Sequence, residues 1–418
     1  MLILAAALAS LALHPQLASS NSSDHLAASA TTLPAPTGPH RIGTTIYQFA
    51  DSSRTDRIAP QPRRYRTIVV QLWYPTNANR GARAPYIPNR ALLAAMRSAG
   101  YYDADSATIM SWAHIDTHAL LNVAPARSEA LPLIIFSEGQ GVARSNYTTL
   151  IEDLASHGYI VAAIEHPYGG FTILNDGRVL TAASDTIGGD SDEAEARRVD
   201  DWARDDSLVL SRLTSGAGEP ALVARSLQPD IDAARVGAMG HSLGGAAAFE
   251  MCRRDSRIRA CVNMDGAMFG TVADSGIGRP VLMLRSHPNY SDADLAKRGR
   301  TRKEWDVMGA SIKTSIDSIL AKRLDTPSYV VSIRGTGHMS YSDAPFVMPT
   351  TITRFGGTVI DASRGFEIIS AYTRAFLDRY VRGTDGALLA KQPSPFPEVV
   401  IDRVGSDSMR GHDSAVLP

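Results

Sequence analysis

RVGAMGHSLGGAAAFEM, residues 235–251, decides the fold. A short apolar run ends in Gly240-His241-Ser242-Leu243-Gly244, and a helix-forming stretch follows at once. Small residues on either side of Ser242 permit a sharp turn from strand into helix that presents the serine hydroxyl. The bare Gly-x-Ser-x-Gly pattern carries little weight in a chain with 33 glycines. Its weight comes from the strand before it and the helix after it.

Outward from this turn the same rhythm repeats. LPLIIFS (131–137), YIVAAIE (159–165), RACVNMD (259–265), PVLMLRS (280–286) and SYVVSIRG (328–335) are continuous apolar runs. Such runs suit strands buried on both faces. Upstream, GTTIYQFAD (43–51) and RTIVVQLWYP (66–75) are rich in β-branched and aromatic residues and read as two further strands. NYTTLIEDLASHG (146–158) has helical spacing in Leu150, Ile151 and Leu154 and closes on Gly158. Helices are also expected at about 192–214, 243–254, 304–321 and 364–382. Strands alternating with helices predict an α/β domain with a mostly parallel central sheet and helices on both faces. Two insertions interrupt the alternation, at 88–121 and 171–198, and the second holds the hairpin turn Asn175-Asp176-Gly177. Ligands of such sheets bind beyond the carboxyl ends of the strands, where insertions would shape a pocket.

The chain of 418 residues is 44% hydrophobic and 20% charged, the composition of a globular protein with a large core. Lys and Arg number 42 against 43 Asp and Glu, a balance that gives no electrostatic footprint for nucleic acid or an anionic membrane. MLILAAALASLALHPQLASS offers an apolar stretch that suits a signal peptide and is too short for a membrane span. Nothing later in the sequence resembles a transmembrane segment. We therefore read 1–20 as a signal peptide, 21–40 as a flexible leader, 41–400 as one catalytic domain and 401–418 as a tail, with the protein secreted or periplasmic. Cys252 and Cys261 form no C-x-x-C pair. Their spacing leaves a disulfide and two buried thiols equally open.

A serine hydroxyl needs a base, and the base needs an orienting acid, in the chain order Ser, acid, His on this kind of sheet. Two histidines follow Ser242 before the tail, His287 and His338. His338 follows the last apolar strand in a small-residue loop and is the expected base. The pattern leaves the acid open between Asp265, which closes a buried strand, and Asp292 or Asp294 in a polar loop. The oxyanion of a tetrahedral intermediate needs two N–H donors. Leu243 is expected to supply one, and Gln140, in the glycine-bearing loop IIFSEGQGVARSN (134–146), the other. No H-E-x-x-H motif and no Cys/His cluster points to a metal, and no cofactor is expected.

The stretches PLIIFSEGQG, DLASHGYIVAAIEH, GHSLGG, NMDGAMF and IRGTGHMSYSDAPF, in this order, resemble the plasma-type platelet-activating factor acetylhydrolases and their bacterial relatives, serine esterases of the α/β-hydrolase fold. The resemblance runs from PTGPHRIGTTIYQFAD to YTRAFLDRYVRG and covers most of the chain. It implies a nucleophile at Ser242, an acid at Asp265, a base at His338 and oxyanion donors at Gln140 and Leu243, with no metal requirement. The family's acid comes soon after its nucleophile, which raises Asp265 above Asp292. One departure stands out: relatives usually have His-Gly where this chain has Glu138-Gly139. A carboxylate there would oppose an anionic intermediate unless it points away or is paired.

Family members cleave short or oxidised sn-2 acyl groups from phospholipids, some while resting on lipid. In relatives an apolar helix before the first buried strand touches the lipid. ALLAAMRSAGYY is the matching stretch, with Leu92, Leu93 and Met96 at helical spacing. The same stripe is also the ordinary face of a core helix. The resemblance thus implies a serine carboxylic-ester hydrolase acting through a Ser-His-Asp triad and an acyl-enzyme. The alternatives are a generalist carboxylesterase or polyester hydrolase, and a hydrolase-shaped binding protein without catalysis.

Overall fold

The computed structural model describes residues 32–56, 58, 64–101, 104–126, 129–182, 191–215, 227, 230–349 and 360–405. The expected signal peptide, the first part of the leader, residues 183–190 of the second insertion and most of the tail lie outside the described residues.

Thirteen strands are described: β1 (Arg41–Thr55), β2 (Tyr65–Thr76), β3 (Arg83–Pro85), β4 (Asp116–Leu121), β5 (Leu131–Ser137), β6 (Ile160–Glu165), β7 (Phe171–Ile173), β8 (Val179–Thr181), β9 (Ile231–His241), β10 (Ile258–Met264), β11 (Val281–His287), β12 (Ser328–Arg334) and β13 (Val399–Val404). Eleven of them form one sheet in the order β13-β12-β11-β10-β9-β5-β6-β2-β1-β4-β3. From β6 to β12 the neighbours are all parallel, as their buried apolar runs require. β2 joins this block antiparallel to β6, and β13 closes the far edge antiparallel to β12. β7 and β8 form a separate hairpin around Asn175-Asp176-Gly177, as the turn residues predict.

The pleat sends alternate residues to opposite faces, and each face is covered. Ile134 and Phe136 of β5 pack with Leu150, Ile151 and Leu154 of α2, defining α1 as Arg90–Ser98 and α2 as Thr148–Ser156; Ile368, Tyr372 and Phe376 of the last long helix complete this layer. Leu133 and Ile135 point the other way, toward α3 (Asp192–Thr214), α4 (Leu243–Arg254) and α5 (Arg302–Leu320). The last long helix, α6, spans Ala362–Leu377. Caps fix the starts of several helices. Ser191 accepts from the Ala194 N–H ahead of three acidic residues in the first turn of α3, and Thr301 and Glu304 form a reciprocal capping box on α5.

Two expectations need correction. Residues 32–40 are not a loose leader: Leu33 is buried, the Thr37 N–H donates to Asp153 and the Gly38 N–H to Ser156, so this segment is tied to α2. Leu92, Leu93 and Met96 of α1 are buried in the core with Tyr101 and Trp112, the ordinary core-helix face that the sequence left open beside a lipid-facing one. The sheet continues past residue 400, because Val399 to Val404 pair with β12. Cys252 of α4 and Cys261 of β10 are joined as a disulfide, with Cα atoms 6.2 Å apart. No described helix is long and apolar enough to cross a membrane.

Candidate active site

Ser242 stands where β9 gives way to α4. Its φ is 55° and its ψ −122°, a backbone state that non-glycine residues rarely adopt and that must be held by its surroundings. Its N–H donates to the Met264 carbonyl (2.9 Å) and its carbonyl accepts from Ala246 (3.1 Å). Gly244 allows the first turn of α4 to press against the loop after β5, since a Cβ there would lie 2.2 Å from the Glu138 carbonyl oxygen.

Asp265 follows the end of β10, and its φ is 57°. Its carboxylate accepts from the N–H and the hydroxyl of Ser286 on β11, both at 2.8 Å. The same carboxylate lies 2.8 Å from Nδ1 of His338, in the loop after β12. Burial pushes the Asp265 carboxyl up, but the His338 hydrogen bond and charge, with the Ser286 N–H, outweigh it and hold the group below the usual range. A carboxylate so held fixes the imidazole orientation and keeps the proton on Nδ1. Asp265 and His338 thus meet at the strand ends, and Ser242 stands beside them, its N–H bonded to Met264 next to Asp265 and its neighbour His241 bonded to the His338 carbonyl. The alternatives are engaged elsewhere: Asp294 caps a short helix with Ser291, and Asp292 pairs with Arg302 on the surface. His287 ends β11 with its carbonyl accepting from Gly335.

The loop after β5 faces the start of α4. Its Gly139 N–H donates to the Tyr147 hydroxyl (3.0 Å), and its Gly141 N–H to the Gly169 carbonyl (2.6 Å). Between them, the Gln140 N–H has no acceptor among the described residues, and neither has the Leu243 N–H at the first position of α4. Two unused N–H groups flanking a nucleophile are what an oxyanion requires.

Glu138 points away from this loop. Its Oε1 accepts from the His166 N–H (2.8 Å) and its side chain is fully buried. Burial, with Glu165 and Asp206 adding repulsion, pushes its carboxyl well above the ordinary range. Its neighbours form a buried polar cluster that the sequence did not reveal. His166 bonds Asp205 through Nδ1 (2.9 Å), and Arg66 bonds both Asp205 oxygens. Beside this cluster opens a cavity of about 280 Å³, walled by Arg66, Gln140, Tyr168, Arg198 and Trp202 among others. Trp202 stacks on His166 with ring centroids 4.1 Å apart. No group of three or more His, Cys, Asp or Glu side chains suited to a metal ion occurs among the described residues.

A strained serine between a parallel strand and a helix, with an Asp-His pair over the neighbouring strand ends, defines an esterase-type α/β-hydrolase site. Residues 26–169 and 219–385 match the family of platelet-activating factor acetylhydrolase, isoform II, and the chain belongs to that family. It is 24% identical over 404 residues to a probable 1-alkyl-2-acetylglycerophosphocholine esterase of Arthroderma benhamiae, covering 88% of this chain and 93% of that one. It is 24% identical over 373 residues to the platelet-activating factor acetylhydrolase of Cavia porcellus, covering 84% and 78%. Among solved structures, the ferulic acid esterase of Streptomyces cinnamoneus superposes with a TM-score of 0.69 at 27% identity, covering 89% of this chain and 99% of that one. The protein is a serine ester hydrolase of the α/β-hydrolase fold.

Proposed function

We propose that the protein hydrolyses phospholipids carrying a short sn-2 acyl group, through an acyl-enzyme on Ser242. His338 Nε2 takes the Ser242 proton as Oγ attacks the ester carbonyl. Asp265 orients the imidazole and stabilises its charge, and the Gln140 and Leu243 N–H groups receive the oxyanion. Collapse expels the alcohol, which leaves with the proton from His338. Water then gives a proton to His338 and attacks the acyl-enzyme, releasing the acid. The observation that carries this reading is the 2.8 Å Asp265–His338 hydrogen bond beside the strained Ser242. Family membership and the fungal relative's name support the lipid substrate. The disulfide between Cys252 and Cys261 supports an exported protein, since such bonds persist in oxidising compartments.

A second reading, an esterase for small or polymeric esters, is favoured by the aromatic cavity wall of Tyr168 and Trp202 and by the likeness to a ferulic acid esterase. Hydrolysis of a 2-acetyl phosphocholine lipid, measured beside a simple acetyl ester of matched leaving group, separates the two. Preference for the lipid that Ser242→Ala abolishes supports the first reading. Fast turnover of the simple ester with little lipid activity supports the second. Failure of a fluorophosphonate to label the folded protein rejects both.

A further inference from the structure

His241 precedes Ser242, is fully buried, and its ring lies 4.5 Å from the ring of His338 at 38°. Each proton around it can be assigned from chemistry. Nε2 is 2.9 Å from the His338 carbonyl oxygen, which can only accept, so Nε2 carries a hydrogen. Nδ1 is 2.8 Å from the Tyr147 hydroxyl, and that hydroxyl accepts from the Gly139 N–H at 3.0 Å. With a neutral ring, Tyr147 donates to Nδ1, and both ring nitrogens of His241 and the Tyr147 hydroxyl are satisfied. A charged ring would leave the Tyr147 hydroxyl proton without its acceptor in a buried place. Burial and the neighbouring His338 charge agree, pushing the His241 pKa down to about 3.

The sequence Gly139 N–H to Tyr147 to His241 to His338 carbonyl therefore runs without a break from the residue before Gln140 to the main chain of the proposed base. Its fit is tight: a Cβ on Gly139 would lie 2.9 Å from His241 Nδ1, 3.0 Å from the Tyr147 hydroxyl and 3.4 Å from Ser242 Cβ. Tyr147 is itself braced by Phe136, ring centroids 4.9 Å apart. We propose that His241 and Tyr147 are positioning residues that lock the oxyanion loop and the backbone of His338 to each other across Ser242. They touch no reacting atom. They set the distance between the group that removes the proton and the groups that receive the negative charge, a relation that matters most in the transition state. This inference rests on the proposed triad.

The test uses full-length His241→Leu, His241→Gln, Tyr147→Phe and the His241→Leu/Tyr147→Phe double variant, with Ser242→Ala as control. The kcat is expressed per site titrated by a fluorophosphonate, which removes any loss of folded protein. His241→Leu is expected to lower kcat about 10- to 100-fold with KM within about threefold, the signature of lost transition-state interactions. His241→Gln, whose amide can still reach the His338 carbonyl, recovers kcat to within about fivefold of wild type. Tyr147→Phe keeps the ring packing and lowers kcat to a lesser degree. The double variant falls no more than about threefold below His241→Leu alone, because both changes cut one chain. The proposal is overturned if kcat per titrated site of His241→Leu stays near wild type, if Gln is as poor as Leu, or if the two losses multiply. If His241→Leu does not fold, an unchanged kcat in Tyr147→Phe overturns it and a lowered one supports it. Activity retained by Ser242→Ala instead rejects the triad itself, a separate failure.

Discussion

Asp265 and His338, 73 residues apart in sequence, meet over the end of β11, the strand that lies between theirs. Ser286 of that middle strand grips both carboxylate oxygens, its N–H on Oδ1 and its hydroxyl on Oδ2, the oxygen that also meets His338. The acid is thus fixed by the sheet rather than by its own loop. Asp265→Asn, which keeps the shape but loses the charge and can reverse the imidazole tautomer, is expected to lower kcat/KM by about 10³-fold or more. Asp292→Asn, on the surface with Arg302, is expected to leave it within about twofold. Steady-state kinetics of the two variants checks both statements.

Glu138 is expected to behave as a neutral group. Its fully buried carboxyl, held well above the usual range by burial, accepts from His166 and does not oppose charge at Gln140. Glu138→Gln should therefore keep kcat/KM within about threefold of wild type near neutral pH. A loss of tenfold or more would show that the carboxylate charge is used.

Asp343 links pH to stability. Its carboxyl accepts from the Thr149 N–H and is pushed up to about 7, chiefly by burial, from an ordinary 3.8. Between these values the unfolded chain gives up the proton while the folded chain keeps it. The stability it contributes is complete below the lower value, declines as pH rises, and is gone above the higher one. Asp343→Asn removes this penalty. Its Tm relative to wild type should rise from pH 5 to pH 8, by the equivalent of about 1–3 kcal/mol. Scanning calorimetry at the two pH values reads the change, and a constant difference would refute it.

The disulfide between Cys252 and Cys261 closes a short loop between α4, which begins at Leu243, and β10, which ends just before Asp265. Replacing both cysteines by alanine should lower stability by about 2–3 kcal/mol through the freed unfolded chain. The kcat at 25 °C should stay within about twofold, because the bond lies away from Ser242. Denaturant titration beside an activity assay tests the two halves.

The central sheet was legible because strands buried on both faces must be apolar throughout, as IIF of β5 and LML of β11 are. The limits of α3 and α4 were legible too, since the helices expected at about 192–214 and 243–254 coincide with them. β4 was missed inside an insertion: its DTHALL has no strand signal, and it is held in part by the Glu152 carboxylate accepting from His118 and Ala119. β13 was masked by the prolines before it. In the site, the strand-to-helix context singles out Ser242, and the loop after the last apolar strand singles out His338 over His287. The choice of Asp265 over Asp292 needed the family or the sheet order, since both follow apolar strands. The Tyr147–His241 contact spans 94 residues and has no local signature. The glycine at 139 was its one visible trace, and it reads in sequence as an ordinary loop.

The two matched blocks of the family leave residues 170–218 outside them, and that interval supplies Arg198 and Trp202 to the cavity wall. Ser242, Asp265 and His338, with Gln140 and Leu243, all lie inside the matched blocks. On the proposed reading, the residues of bond breaking lie wholly in the matched blocks, whereas the cavity wall is shared, with Arg66, Gln140 and Tyr168 inside the blocks and Arg198 and Trp202 between them. Selection on the interval between the blocks can therefore reshape one side of the cavity while the groups of the reaction stay in place, so a lineage of such proteins can keep one reaction while part of its diet drifts.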